Sequence, residues 1–488
     1  MSEIQVATPK TRMDDLSFQN ATTDLPVETL LMIFKQLFWA SCVETTCPCV
    51  DPEECFCRKD ISPIAWDQGE DLLASSVFPY AITLVCKRWN ILIRSDPTFW
   101  TRIVIILDED PTPLLKIQSQ IGLSGELPLD FHVLRRQKER DSREYAQSRL
   151  IIDFLHSYLY RCRVVVFDLT HNSSLPSITR DLRREAPHLV KLQLRCQIDD
   201  GQDYVARPPF QGGSDEDFSS FSLLEILDID GKNFADCCMD DSYWEDNLSR
   251  SIKHSVTISN YTPVSNEVDE QCTMWDFVTG LASIPQISEL HLVNLQFDRD
   301  LSHWDDVFMP ELPYIELKDL DLEFVNRFLG TVVLEDLDHL HITRCSVRVP
   351  FLTLHSAHLT LEQVMHDRYF FGRILEEWNG TTLEVINLMA FNDDAIRTLL
   401  KNTTPEGPHT RQCRNFIIKD CPNFTVATLK RLITSRNAAF LQSTPSSGVA
   451  PRCTLHVSGH GPTLSTEDGD WFFKNLDSFQ WDTNQLDS

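Results

Sequence analysis

The sequence is short of glycine and of basic residues. Its 488 residues include 16 glycines, and 44 lysines and arginines stand against 72 aspartates and glutamates, which gives a formal net charge of −28. So few glycines argue against phosphate-cradling loops. The acidic balance argues against general binding to nucleic-acid phosphates or to anionic membrane surfaces, so we expect neither nucleic acid nor membrane as a partner. It favours a basic partner, although an acidic surface more often serves solvation alone.

Long apolar runs are also missing. No stretch of about 18 apolar residues occurs, so no membrane span is expected. The first residues, MSEIQVATPKTRMDDLSFQ, lack the apolar centre of a secretory signal, which predicts a cytoplasmic or nuclear protein. The 15 cysteines are then expected to be reduced thiols. Cys162, Cys196 and Cys345 stand in apolar, strand-like contexts and are predicted to be small core residues.

Familiar catalytic motifs are absent as well. The sequence has no G-x-S-x-G, no G-x-x-x-x-G-K-[ST], no H-E-x-x-H and no G-x-G-x-x-G. His339 and His341 alternate along a strand-like run, which places both on its solvent face. His355 and His358 fit polar strand or loop residues better than metal ligands. We therefore expect a protein that is not an enzyme and that holds no cofactor.

An apolar helix is predicted near the start of the chain. Residues 1–24 are polar and mixed and are interpreted as a disordered tail. Leu25-Pro26 then opens a helix, since proline is tolerated in a first turn and Glu28 suits the positive end of the helix dipole. One face is apolar at the spacing of a helix. Met32 and Ile33 fall off that face, which indicates a second surface to cover.

A second helical segment, residues 77–95, ends at Asp96-Pro97. Between the two segments lies a polar insertion, at about residues 39–76. Its two Cys-x-Cys pairs could supply four thiolates to a tetrahedral zinc, although the usual spacing is wider. The alternative is a loop with free or redox-sensitive thiols. The four cysteines are Cys47, Cys49, Cys55 and Cys57.

From residue 103 onward, short strand-like runs alternate with helix-like stretches. Several fit L-x-x-L-x-L followed by Cys or Asn, and many start roughly 25–35 residues apart, in the range of solenoid repeats. Such units bury their apolar faces by stacking, which favours an irregular leucine-rich α/β solenoid over residues 103–488. An ordinary α/β sheet domain with helices on both faces is the alternative. Residues 200–222, 231–280 and 443–452 lack periodicity and are interpreted as loops.

The two N-terminal segments together resemble the F-box. LPVETLLMIFKQL resembles its first helix, with Leu-Pro, a glutamate and an Ile-Phe pair, and VCKRWNILIRSDPTFW resembles its end. The layout of residues 25–102 followed by leucine-rich runs is similar to the F-box proteins with leucine-rich repeats of mushroom-forming fungi. The insertion at 39–76 departs from the family, whose two halves usually lie closer together.

This resemblance implies a fold and a role. The fold class is expected to be α+β overall, with an N-terminal helical F-box followed by the α/β leucine-rich-repeat solenoid. An F-box would bury its surplus apolar surface on a Skp-type adaptor, and through it reach a cullin, while the repeats hold an unknown protein substrate for ubiquitin transfer. The alternative is a leucine-rich-repeat interaction scaffold with no role in ubiquitin transfer. The residues predicted to bind the adaptor are Leu25, Pro26, Leu30, Ile33, Phe34, Val85, Lys87 and Trp89.

Whether substrate recognition needs a phosphate is left open by the sequence. Two groups of basic residues are typical of helix surfaces but could also bind a phosphate. They are Arg135, Arg136, Lys138 and Arg140, and Arg180, Arg183 and Arg184.

Overall fold

The structure is a computed structural model of the chain. It describes residues 25–44, 64–66, 69–74, 76–136, 142–200, 221–239, 243–263, 272–297, 306–309, 312–334, 337–346, 356–364, 374–375, 378–401, 413–443 and 452–483. The predicted tail at 1–24, the four cysteines of the possible zinc site, His355, and residues 201–220 and 444–451 of the predicted loops lie outside these residues.

The chain forms two compact units. Residues 1–105 and 112–130 belong to the first, and residues 106–111 and 131–488 to the second.

The first unit mixes helices with a pair of short strands. The predicted second helical segment is divided into two helices, because Cys86 has an extended backbone ahead of the second one. The strands β1 and β2 pair in antiparallel fashion, with Cys42 opposite Trp66. The elements are α1 (Val27–Ala40), β1 (Cys42–Glu44), β2 (Ile64–Trp66), α2 (Tyr80–Thr83), α3 (Lys87–Arg94), a 3₁₀ turn (Pro97–Trp100) and α4 (Leu114–Leu123).

The remaining described chain consists of further strands with helices interspersed among them, and most of β3 and the start of β4 still belong to the first unit. The strands are β3 (Arg102–Ile106), β4 (Leu129–Leu134), β5 (Cys162–His171), β6 (Lys191–Ile198), β7 (Ile226–Asp230), β8 (His254–Tyr261), β9 (Ile287–Leu295), β10 (Val307–Phe308), β11 (Tyr314–Lys318), β12 (Val332–Val333), β13 (His339–Thr343), β14 (His358–Glu362), β15 (Thr382–Ile386), β16 (Asn415–Lys419), β17 (Thr454–Gly459) and β18 (Ser478–Thr483). The helices are α5 (Glu144–Leu155), α6 (Gly231–Cys238), α7 (Tyr243–Asn247), α8 (Met274–Ser283), α9 (Leu322–Thr331), α10 (Asp393–Lys401), α11 (Val426–Ser443) and α12 (Thr466–Asn475).

Fourteen of these strands form one sheet, in the order β18-β17-β16-β15-β14-β13-β11-β9-β8-β7-β6-β5-β4-β3. Every pairing from β5 to β18 is parallel. The predicted α+β class is therefore wrong, because a parallel sheet with helices interspersed among its strands is an α/β structure. An N-terminal helical F-box is not shown either, since the described residues before β3 include the β1–β2 pair.

The sheet has one apolar and one polar face over its second half. In register, Leu290, Ile315, Leu340, Leu359 and Leu383 form one buried row across five neighbouring strands. The residues two positions further along each strand form a second buried row. Because side chains alternate along a strand, the residues between these rows point to the opposite face. The predicted L-x-L spacing thus marks the side of each strand that faces the core.

A residue with left-handed backbone geometry lies at or just after the end of eight consecutive strands of the sheet order. The residue that follows it is buried in seven of them, so the left-handed turn directs that side chain back into the core. The backbone N–H at several of these positions donates to a carbonyl near the end of the next strand, as in Arg344 to Glu362 O at 2.9 Å. The eight residues are Asn260, Asn294, Asp319, Arg344, Gln363, Asn387, Asp420 and Gly459.

Two cysteines fill equivalent positions after such turns. The Sγ of Cys345 accepts from the N–H of Leu320 at 3.4 Å and lies 3.3 Å from Leu317 O. Cys421 accepts from the N–H of Leu388 at 3.5 Å. Burial raises the pKa of both thiols to about 11. Cys345, like Cys162 and Cys196, is buried as predicted.

Part of the predicted loop structure is wrong. Residues 231–280 include α6, α7, β8 and the first turns of α8. Their periodicity is hidden because the strand His254–Tyr261 carries serine and threonine at its outward positions. Among the described residues, no helix combines the length and the apolar character that a membrane crossing requires.

Candidate functional site

Helix α1 of the first unit carries apolar residues on two sides. Leu30, Phe34 and Phe38 recur every four residues and are buried. Their partners in the core of this unit include Ile93 and Phe99. Other apolar residues of this helix remain exposed, and so do residues on and before α3. The exposed apolar residues of these segments are Val27, Met32, Ile33, Leu37, Trp39, Leu84, Val85 and Ile91.

The residues predicted to bind the adaptor divide into two groups. Leu30 and Phe34 are fully buried, so their side chains belong to the core of the unit. Ile33 is 41% exposed and Val85 is 58% exposed. Pro26 and Lys87 are exposed too, and Leu25 is half-buried. Leu25, Pro26, Ile33, Val85 and Lys87 are thus accessible to a partner, and adaptor binding stays a prediction for these five residues.

Trp89 connects the two predicted segments. Its ring meets that of Phe34 edge to face, with the centroids 5.1 Å apart. The neighbouring Arg88 donates a hydrogen bond to the carbonyl oxygen of Leu25 at 2.5 Å. These contacts bring the Leu25-Pro26 pair and the start of α3 close together. The sequence predicts that the two segments form one module, and these side-chain contacts connect them.

Part of the insertion at 39–76 packs into the core of this unit. Trp66 is buried, and its ring lies 4.0 Å from the guanidinium of Arg102. That guanidinium also pairs with Glu70 at 2.5 Å and donates to Phe78 O at 2.8 Å. Since Arg102 is buried, these contacts compensate its charge. No sequence signal pointed to this arrangement, because the partners are separated by many residues.

A second candidate site lies on the polar face of the sheet in the second unit. It occupies β9, β11, β13, β14 and β15, which are consecutive neighbours. We call it the histidine–glutamate cluster, and it consists of Glu289, His291, Tyr314, Glu316, His339, His341, His358, Glu362 and Glu384. His339 and His341 were predicted on this side of their strand. His358 was predicted to be a polar strand or loop residue, and it lies on β14. The sequence analysis did not single out the other members, and only the register brings the whole cluster together.

Three histidines of the cluster pair with glutamates on the next strand. His291 Nδ1 lies 2.8 Å from Glu316. His341 Nε2 lies 3.4 Å from Glu362. His358 Nε2 lies 3.5 Å from Glu384, which Lys419 also approaches at 2.7 Å. His291 and Glu316 lie directly opposite each other, whereas Glu362 and Glu384 each lie two residues beyond the position opposite their histidine.

His339 lies at the centre of the cluster. Its ring stacks on that of His358, with centroids 4.1 Å apart and planes 3° from parallel. Its Nε2 lies 2.9 Å from the hydroxyl of Thr360. Tyr314 meets it edge to face at 5.1 Å.

The surroundings within the cluster shift the pKa values of a histidine and of two glutamates. Burial, together with the nearby His358 and His341, lowers the pKa of His339 to about 4. The hydrogen bond from His358, supported by Lys419, lowers the pKa of Glu384 to about 2. His291 likewise holds the pKa of Glu316 below its usual value. At neutral pH the cluster therefore presents the neutral ring of His339 at its centre, with the ionised carboxylates of Glu316 and Glu384 near it.

The low pKa of His339 predicts a loss of stability in mild acid. Below about pH 6.5 the unfolded chain takes up a proton at this residue while the folded chain does not, so unfolding is favoured as pH falls toward 4. Because the ring is partly exposed and screened, the expected contribution is about 1–2 kcal/mol. Urea unfolding of wild type and His339→Gln at pH 7, 6, 5 and 4.5 measures it.

The variant is expected to lose less stability than wild type over this pH range. Thr360→Ser, which keeps the hydroxyl that faces His339, is the control and should retain the wild-type slope. Parallel curves for wild type and His339→Gln would contradict the prediction.

Metal binding has no support in the described part of the second unit or of the first. Among the described residues, no group of three or more His, Cys, Asp and Glu side chains is arranged to hold a metal ion. The cluster is thus best described as a surface of aromatic rings and carboxylates.

Comparison of the chain with known proteins adds no relative to these observations. No protein-family model matches it, and no curated protein matches it significantly. The resemblance to the F-box is therefore supported by the residues named above alone.

Proposed function

We propose that this chain is the substrate-recognition subunit of a Skp-cullin-F-box-type ubiquitin ligase. Its residues 25–102 would bind a Skp-type adaptor, and the adaptor would link it to a cullin. The second unit would hold a protein substrate near the ubiquitin-conjugating enzyme. The chain would supply proximity and no catalytic residue, and it would act in the cytoplasm or the nucleus.

One observation supports this proposal best. Ile33 and Val85, at positions that match the F-box sequence pattern, are exposed while their neighbours Leu30 and Phe34 are buried. Ile33 lies on α1, and Val85 lies just before α3, whose Trp89 contacts Phe34 of α1. Exposed apolar side chains are a feature of surfaces that bind another protein. Lys87 and Pro26 lie exposed beside them.

A binding measurement with the full-length chain tests the proposal. The double variant Ile33→Asp/Val85→Asp places charges on the exposed apolar surface and spares the buried core. We expect wild type to bind a Skp-type adaptor from the same organism and the variant to bind at least tenfold more weakly, a loss of about 1.4 kcal/mol. Isothermal titration calorimetry measures both affinities.

Leu115→Asp is the matched control. Leu115 is 79% exposed on α4 of the same unit, outside the segments that resemble the F-box. Its replacement should leave adaptor binding unchanged, and circular dichroism should show all three proteins folded. A folded wild-type chain that fails to bind would overturn the proposal and favour the interaction scaffold without a role in ubiquitin transfer.

A further inference from the structure

The polar face of the sheet at β9–β15 is accessible to a partner, whereas the opposite face is buried. The rows that contain Leu340 and Ile342 are buried against the core. The histidine–glutamate cluster stands on the other side of the same strands, and its side chains are half-buried apart from that of Glu289, which is exposed.

The aromatic rings of the cluster form a continuous series. The centroids of His291 and Tyr314 are 5.3 Å apart, those of Tyr314 and His339 are 5.1 Å apart, and His339 then stacks on His358. His341 lies beside this series, and its ring centroid is 6.2 Å from that of His339. Such spacing allows one ligand side chain to contact two rings at once.

Negative charge surrounds this series. The five strands carry four carboxylates, Glu289, Glu316, Glu362 and Glu384, and one lysine, Lys318. Lys419 on β16 joins Glu384 at the edge of the cluster. Glu289 is the most open of the four, with a side chain 55% exposed. The glutamates that pair with histidines keep accepting capacity, because each carboxylate offers about four lone-pair sites.

Aromatic faces together with carboxylates are the chemistry that recognises organic cations. A guanidinium group stacks on a ring and pairs with a carboxylate through two parallel hydrogen bonds. Neighbouring strands lie about 4.8 Å apart, so the five strands span about 19 Å, the length of about six residues of extended chain. A ligand with cationic side chains along an extended backbone therefore fits both the charge and the size of the cluster.

We propose that the histidine–glutamate cluster binds an extended protein segment that carries arginine side chains. The site lies in the second unit and is distinct from the residues proposed to contact the adaptor. The inference depends on the proposed function only where it takes this segment to belong to the substrate. Binding itself needs no adaptor and is tested without one.

The experiment uses the full-length chain and a fluorescein-labelled (Arg-Ser)₄ peptide at physiological salt. Fluorescence anisotropy should show saturable binding to wild type. A (Glu-Ser)₄ peptide of the same length should not bind. The triple variant Glu316→Gln/Glu362→Gln/Glu384→Gln keeps the shape of the side chains and should bind (Arg-Ser)₄ at least tenfold more weakly. Tyr314→Leu removes the ring between His291 and His339 and should weaken binding at least threefold.

Asp482→Asn is the matched control for charge. Asp482 is an exposed carboxylate on the same face of the sheet, on β18. Its replacement should leave the affinity unchanged, whereas a loss equal to that of the triple variant would show that overall negative charge explains binding and would overturn the proposal. No binding of (Arg-Ser)₄ to wild type would also overturn it. Thermal unfolding confirms that each variant is folded.

The adaptor-surface variant separates the two proposals. Ile33→Asp/Val85→Asp should bind (Arg-Ser)₄ as wild type does, because the change lies in the first unit. If the chain binds no adaptor but binds the peptide through the cluster, the ligase proposal fails and this one stands. If it binds the adaptor but not the peptide, the reverse holds.

Discussion

Phe34→Ala is expected to lower the unfolding free energy of the first unit by about 3–5 kcal/mol. Phe34 is fully buried at the centre of a core that includes Phe38 and Phe99. Truncation removes its contact with Trp89 and leaves a cavity that rigid aromatic neighbours cannot fill. The loss is a large part of the 5–15 kcal/mol that stabilises a typical protein.

Hydrogen exchange followed by mass spectrometry measures this effect. Peptides from residues 25–44 and 76–105 should exchange much faster in the variant, because local opening becomes more frequent. Met32→Ala, on the same helix at a residue 62% exposed, is the control and should change stability by no more than about 0.5 kcal/mol. Unchanged exchange in Phe34→Ala would show that this core does not stabilise the unit.

Glu144→Gln is expected to lower the stability of the second unit by about 3–5 kcal/mol. The buried Glu144 carboxylate accepts hydrogen bonds from Arg135 at 2.5 Å, from Thr170 N at 3.2 Å and from His171 N at 3.0 Å. Burial alone would raise the pKa of this carboxyl, but Arg135 and the N–H of His171 lower it below its usual value. The amide cannot compensate the Arg135 charge, which stays buried.

Urea unfolding of wild type and variant measures the loss at pH 7. Glu109→Gln is the matched control, because Glu109 is 79% exposed and its pair with Arg143 at 3.7 Å is solvated, so a change within about 0.5 kcal/mol is expected. The double variant Glu144→Gln/Arg135→Met should recover part of the stability by removing the uncompensated charge. A double variant less stable than Glu144→Gln would contradict this explanation.

The Glu144 carboxylate also makes the stability of the second unit depend on pH. Its pKa is lower in the folded chain than in the unfolded chain, so its stabilisation is present above about pH 4.3 and disappears as the pH falls below that value. His339 acts earlier during acidification, between about pH 6.5 and 4. Acidification thus lowers the stability of the second unit in two successive pH ranges, first through His339 and then through Glu144.

Much of the second unit was predictable from its sequence. The runs ISELHLVNL and LDHLHITRC alternate leucine or isoleucine with polar residues, and they form β9 and β13. Alternation is a local property, so a single sequence reveals it. The fold class was wrong because parallel pairing joins strands that lie tens of residues apart, and local alternation does not specify which strands pair or in which direction.

The contacts between distant residues were not predictable. Arg135 looked like surface charge, yet it is buried against Glu144. The stacking of His339 on His358 depends on the register of β13 against β14. In the first unit, the motif identified Leu30 and Phe34 beside Ile33, but only the packing separates the buried residues from the exposed one.

The eight left-handed turns of the sheet have a consequence for engineering. Each turn ends its strand with the same backbone geometry, and the next strand begins from an equivalent position. A block that runs from one turn to the next therefore meets its neighbours through interchangeable junctions, as in proteins whose stability is a sum of nearest-neighbour interfaces. We expect that excising or duplicating a block at these positions would change the number of strands in the sheet, and with it the number of strands that carry recognition residues.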